Sequence, residues 1–176
     1  GQVGTLKVIN EDIYAKILKN LEYADNLSIR ISNHFSNGEI SGPAHIALLD
    51  AVYAFTYNVS RAKNTADINS AKTILNSILD KYMPENLAEK AKRDGKRVIS
   101  TYKKLAIYRT AERNTLNSII AKATSGINNI KYGKGGLKKV ISDVNAIVSS
   151  TKADMDKLLT DAQYRLGKTK IVKVVL

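Results

Sequence analysis

From Leu137 to Ala162, side chains that suit a core recur at alternating spacings of four and three: Leu137, Ile141, Val144, Val148, Thr151, Met155, Leu158 and Ala162. In an α-helix such positions fall on one face, whereas a strand would scatter them over both. A seam of this kind holds a long helix almost parallel to a neighbour, as in a helical bundle or a coiled coil. The same argument applies upstream, where Ile13, Ile17, Leu21, Ala24, Leu27, Ile31 and Phe35 make one apolar stripe. Asn10 is a good N-cap for it, with Glu11 and Asp12 where the helix dipole favours negative charge. Asn37-Gly38 supplies the left-handed stop.

Ser41-Gly42-Pro43 opens a second helix, apolar on nearly all sides from Ala44 to Val59, which places it at the centre of the bundle. A third spans about 67–82 on Ile68, Ala71, Leu75, Ile78 and Leu79, and Met83-Pro84 ends it. Pro84 opens a short helix that Gly95 closes. Residues 98–130 continue in helical spacing on Val98, Tyr102 and Leu105, then on Leu116, Ile120, Ala123, Ile127 and Ile130. The polar turn between the two sets, with Arg109, Glu112 and Arg113, predicts a break. Asn114 would cap the new helix, and the two arginines would sit at the end of the old one. Residues 131–136, Lys-Tyr-Gly-Lys-Gly-Gly, are the clearest loop, and Gly167 ends the last helix. Residues 5–9 and 170–176 are rich in β-branched side chains and read as short strands. The fold class is therefore all-α: a single up-and-down helical-bundle domain, 1–176, of about five to six helices with β-like segments at both termini. The terminal strands, or the 137–162 seam, would suit a homo-oligomer.

Composition supports this reading. The 176 residues are 44% hydrophobic and 25% charged, which is globular rather than disordered, and only two are Pro. With no Cys, thiolate metal sites and thiol nucleophiles are excluded. No apolar run is long enough for a transmembrane helix. The chain starts at Gly1, which reads as a processing product or an expression remnant.

Charge is the one strong asymmetry. Lys and Arg outnumber Asp and Glu by 28 to 16, a net +12. Residues 95–140 hold eleven basic residues and one acidic residue, so ten of those twelve net charges lie in about a quarter of the chain. Ordinary surfaces intersperse the two signs. On a helix Lys96 and Lys103 share one flank, and Arg97 and Lys104, with Lys122 further along, share another. Lys131, Lys134, Lys138 and Lys139 surround the glycine loop. Flexible backbone and a helix N-terminus at that loop favour a phosphate or another anion. These nine residues are the candidate polyanion-binding site.

No chemistry-bearing motif competes with it. His34 and His45 flank a turn but have no ligand-spaced carboxylates beside them, and both read as helix-end or hydrogen-bonding histidines. Gly133-Lys-Gly-Gly136 lacks the spacing of a phosphate-binding P-loop. Asp50, Tyr57 and Arg61 fall near one side of the second helix, with Tyr53 close by, and read as an internal hydrogen-bonded network, with a ligand pocket as the sharper alternative. The expectation is a non-enzymatic protein with no metal and no cofactor. It would bind nucleic acid or another polyanion with little sequence specificity, as a structural or packaging component of a virion or nucleoid, in the virion or the cytoplasm. The rival is an extracytoplasmic or cell-surface helical module, left after signal removal, that binds a protein or an anionic polymer.

Overall fold

The computed structural model describes residues 2–102 and 108–175, with side chains over 11–102 and 108–167. They form six α-helices in up-and-down order: α1 (Gln2–Ser36), α2 (Gly42–Ser60), α3 (Thr65–Tyr82), α4 (Pro84–Tyr102), α5 (Thr110–Asn128) and α6 (Gly136–Val175). The chain gathers into two compact units, residues 1–87 and 88–176. Each has its own buried core.

In the first unit α2 is the middle helix, with α1 and α3 packed on it. Gly38 at φ 72° takes the left-handed position that closes α1, and the Glu39 N–H returns to the His34 carbonyl at 2.9 Å. Ser41 caps α2 by accepting the Ala44 N–H at 3.2 Å. Asn64 caps α3 by accepting the Asp67 N–H at 2.9 Å, and the Asp67 carboxylate accepts the Lys63 N–H at 2.8 Å. Met83, extended because a proline follows, separates α3 from α4. The core is built from Ala24, Leu27 and Ile31 of α1, Leu48, Val52, Phe55 and Val59 of α2, and Ala71, Leu75 and Leu79 of α3. The apolar stripes of α1 and α3 are the expected ones, apart from Phe35. That ring is 43% exposed and stacks on His45 at 4.1 Å, while the neighbouring His34 is buried.

Being the middle helix does not bury α2 on every side. Ile46, Asp50, Tyr53 and Tyr57 face outward, and Tyr53 is 79% exposed. The expected internal network is corrected accordingly. Asp50 and Tyr53 lie on the open face, and Arg61 places its guanidinium 3.9 Å from the Tyr57 ring centre, a contact made at the surface.

The second unit packs α5 on α6, with Ala88 and Ile99 of α4 in the same core. Val140, Val144, Thr151, Met155 and Ala162 are buried along the α6 seam. Thr151 satisfies its hydroxyl by donating to the Ile147 carbonyl at 2.6 Å. Ile141, 39% exposed, yields its place in the seam to Val140.

Several sequence expectations change here. Residues 5–9 and 170–175 are not strands but turns of α1 and α6; Leu176 lies outside the described residues. A β-branched residue costs a helix only about 0.5 kcal/mol, whereas extending an existing helix adds a hydrogen bond without a new nucleus. For the same reason Asn10 lies inside α1 rather than at its start. Neither Gly95 nor Gly167 ends a helix. A Cβ at Gly167 would meet nothing within 4 Å. Gly167→Ala is therefore expected to raise stability by about 0.5–1 kcal/mol through helix propensity, read as a higher urea midpoint.

The break near residue 109 is present but earlier than expected. α4 is described as far as Tyr102, and Arg109, rather than Asn114, is the N-cap of α5. Arg109 and Arg113 thus sit at the start of a helix rather than at the end of one. Glu112, one turn in, supplies the negative charge that this end favours.

Candidate functional site

The sequence nominates nine of the basic residues of 95–140, and the structure sorts them. Three are engaged within the protein. Lys96 donates to the Asn128 side-chain oxygen at 2.8 Å. Arg97 pairs with Asp94 at 3.5 Å and Lys139 with Asp143 at 2.6 Å. The last two pairs join residues three and four apart, a spacing already visible in the sequence. Lys122 is exposed on α5, beside a groove lined with hydroxyls and with Asp154 of α6. Lys103 and Lys104 lie outside the described residues.

Lys131, Lys134 and Lys138 remain. All three are exposed, and none is ion-paired among the described residues. They stand on a loop whose shape follows from its glycines. The Gly136 N–H returns to the Gly133 carbonyl at 3.0 Å, and Gly135 and Gly136 take φ of 99° and 65°. That backbone is open to glycine and strained for other residues. A Cβ on Gly135 would also lie 2.8 Å from the Lys139 side chain. The turn delivers the chain straight into α6, so Lys131 and Lys134 precede a helix N-terminus and Lys138 stands on its first turn. The partial positive charge of that end adds to the three ammonium groups.

The other side of the loop is held by a residue that sequence reading passed over. Lys92 of α4 is only 8% exposed, and its ammonium donates to the carbonyls of Asn128 at 3.3 Å and Ile130 at 2.8 Å, with Glu89 at 3.4 Å. It closes the C-terminal end of α5, where carbonyls lack helical partners and a cation is favoured. Its carbon stem fills a core position. Lys92 and Lys96 thus grip the end of α5 from which the loop departs.

The sole acidic residue of 95–140 is committed elsewhere. The Glu112 carboxylate accepts the Arg109 N–H at 2.8 Å and an Arg165 guanidinium N–H at 2.7 Å. The Arg109 N–H foremost, then the Arg165 guanidinium, hold its carboxyl below the usual carboxylate range despite partial burial. A depressed acid contributes stability that is fully present above the unfolded-state value, about pH 4.3, and is lost as pH falls through the folded value. Glu112→Gln is accordingly expected to lower the thermal midpoint near pH 7, with the difference from wild type closing in the acid range. Nearby, Tyr102 donates to an Asp156 carboxylate oxygen. That bond, with burial and the Asp156 charge, keeps the phenol protonated to higher pH than usual.

His34 has a structural part in the first unit. Its Nδ1 contacts the Glu39 carboxylate, and its Nε2 the Glu85 carboxylate at 2.8 and 3.0 Å. Arg30 reaches Glu85 at 3.6 Å. The imidazole therefore ties the end of α1 to the first turn of α4, a hydrogen-bonding part as the sequence suggests. Among the described residues no group of three or more His, Cys, Asp or Glu is placed to hold a metal ion. Among them, too, no helix is long and apolar enough to cross a membrane. Comparison with protein-family models, with curated proteins and with solved structures finds no match to this chain.

Proposed function

We propose that the protein is a non-enzymatic structural or packaging component that binds nucleic acid, or another polyanion, with little sequence specificity. Contact is centred on the loop 131–136 and the first turn of α6. One observation carries this reading. A segment with eleven positive residues has a single carboxylate, and that carboxylate is occupied by Arg109 and Arg165. Lys131, Lys134 and Lys138 are thus left facing solvent with no negative neighbour from their own segment. Lysine ammoniums are point charges that suit phosphate oxygens in any register, so affinity would come from neutralising phosphates rather than from reading base edges.

Binding of a labelled mixed-sequence DNA duplex at several salt concentrations tests the proposal. Affinity of about micromolar or tighter at low salt, equal for unrelated sequences and falling steeply with salt, is the expected result. Absence of binding at low salt would turn the same face into a docking surface for an acidic protein. Preference for an anionic cell-wall polymer over DNA and RNA would favour the extracytoplasmic reading.

A further inference from the structure

A second basic groove lies in the first unit, and one of its walls comes from the part of the sequence where it is least expected. Residues 1–58 hold four basic and six acidic residues, yet a groove of about 570 Å³ between α1 and α3 is lined by Lys16, Lys19 and Lys72 and by no carboxylate. The groove follows from helix geometry. Residues 16, 19, 20 and 23 share one face of α1, and residues 65, 69, 72 and 76 share one face of α3. Both faces are polar apart from the Tyr23 ring, so the two helices rest on α2 without closing on each other. Ile68 and Leu75 form an apolar floor.

From this arrangement we propose that the groove binds a sugar phosphate, with the phosphate between Lys19 and Lys72. Lys16 is already occupied, by Asp12 at 3.4 Å and by the Thr65 hydroxyl at 3.2 Å, and it closes one end. Lys19 and Lys72, one on each wall, make no ion pair among the described residues. A phosphate monoester has enough oxygens to accept from both at once, and it carries the charge that two unopposed ammoniums call for. The rest of the lining suits a hydroxylated body. Asn69 and Asn76 flank Lys72 by one helical turn each, and every amide offers both a donor and an acceptor, as a hydroxyl requires. The Asn20 amide donates to the Lys16 carbonyl at 2.7 Å, which fixes its side chain and leaves its oxygen as an acceptor. Tyr23, 41% exposed and braced edge-on against Phe55 at 6.3 Å, gives a flat wall for the apolar face of a sugar ring. The volume lies within the range of small-molecule sites, about 300–1,000 Å³.

Glucose 6-phosphate and adenosine 5′-monophosphate share this chemistry and come from different sources, so both serve as probes. Each is titrated into the full chain and into the Lys19→Gln/Lys72→Gln variant, with heteronuclear NMR shifts as the readout. Saturable binding at or below about 1 mM is expected for at least one of them, with shifts centred on α1 and α3. The variant, and the parent glucose or adenosine, are expected to bind at least about tenfold more weakly. Which probe binds tighter distinguishes a metabolite site from a nucleotide site. No saturation by either probe at about 10 mM, or equal affinity in the variant, overturns the proposal, and so does inorganic phosphate binding as tightly as the esters. The Lys131→Glu/Lys134→Glu/Lys138→Glu variant is expected to leave these shifts unchanged, so this site and the polyanion site fail or succeed separately.

Discussion

Phe55→Ala is expected to cost the first unit about 3–5 kcal/mol, the range for removing a buried aromatic ring. Phe55 is 2% exposed on the middle helix, within the core that Leu27, Ile31, Leu48 and Leu75 share. A loss of that size is a large part of the total stability of an ordinary domain. In a unit this small it would lower the melting midpoint by roughly 15–30 °C. Tyr53→Ala, two residues earlier on the same helix, is expected to change stability by no more than about 0.5 kcal/mol, because its ring is 79% exposed. The contrast tests which face of α2 is inside. Equal losses for the two substitutions, read by urea denaturation, would contradict the packing described for this unit.

Gly95→Ala is expected to destabilise the second unit by about 1–3 kcal/mol, although alanine favours a helix over glycine by about 1 kcal/mol. The reason is close approach. A Cβ at Gly95 would lie 2.5 Å from a Val144 γ-methyl, and Val148 and Ile127 stand at 3.4 and 3.6 Å. Valine is stiff at its first torsion, so the methyl cannot swing clear and the helices must separate. Adding Val144→Ala removes the clashing methyl. The double variant is therefore expected to recover stability relative to the sum of the two single losses, with a coupling of about 1 kcal/mol or more. Strictly additive losses would show that α4 does not meet α6 at this point. Gly126→Ala is the control, since its nearest neighbour is the far end of the Ile147 side chain at 3.2 Å, which can move.

These two sites also show why some of the fold was legible in the sequence and some was not. The α3 stripe was readable because all its inward positions are apolar: Ile68, Ala71, Leu75 and Leu79. The inward face of α4 runs through Ala88, Lys92, Gly95 and Ile99. Two of its four positions are a lysine and a glycine, which no hydrophobic pattern counts. The apolar pattern points instead to Val98, Tyr102 and Leu105; the first two are exposed, and Leu105 lies outside the described residues. Lys92 is inside because its methylenes pack while its ammonium meets the α5 carbonyls, partners 36 and 38 residues away in sequence. On α2 the error ran the other way, since a run of apolar residues does not say which of them a single neighbour on each flank can cover.

The candidate polyanion site divides along the same line. The excess of positive charge over 95–140 and the glycine loop at its centre are local, and so are the Arg97–Asp94 and Lys139–Asp143 pairs. The Lys96–Asn128 bond and the capture of Glu112 by Arg165 join residues 32 and 53 positions apart, and only the fold reveals them. The groove lysines were missed for a related reason. Lys16 and Lys19 lie in a segment of net negative charge, and they meet Lys72 only when α1 and α3 are laid on α2.

Neutralisation of phosphates by the lysines of the glycine loop is the step on which the proposed function rests. It is tested most directly by the salt dependence of DNA-duplex affinity, compared between wild type and the Lys131→Glu/Lys134→Glu/Lys138→Glu variant. Each phosphate contact contributes about −0.9 to the slope of log affinity against log salt, so losing three should flatten it by about 2.7 and weaken low-salt binding by at least about tenfold. The melting midpoint should be unchanged, because all three side chains are exposed. Equal slopes and equal affinities in the two proteins, or no binding by wild type at low salt, would contradict the account.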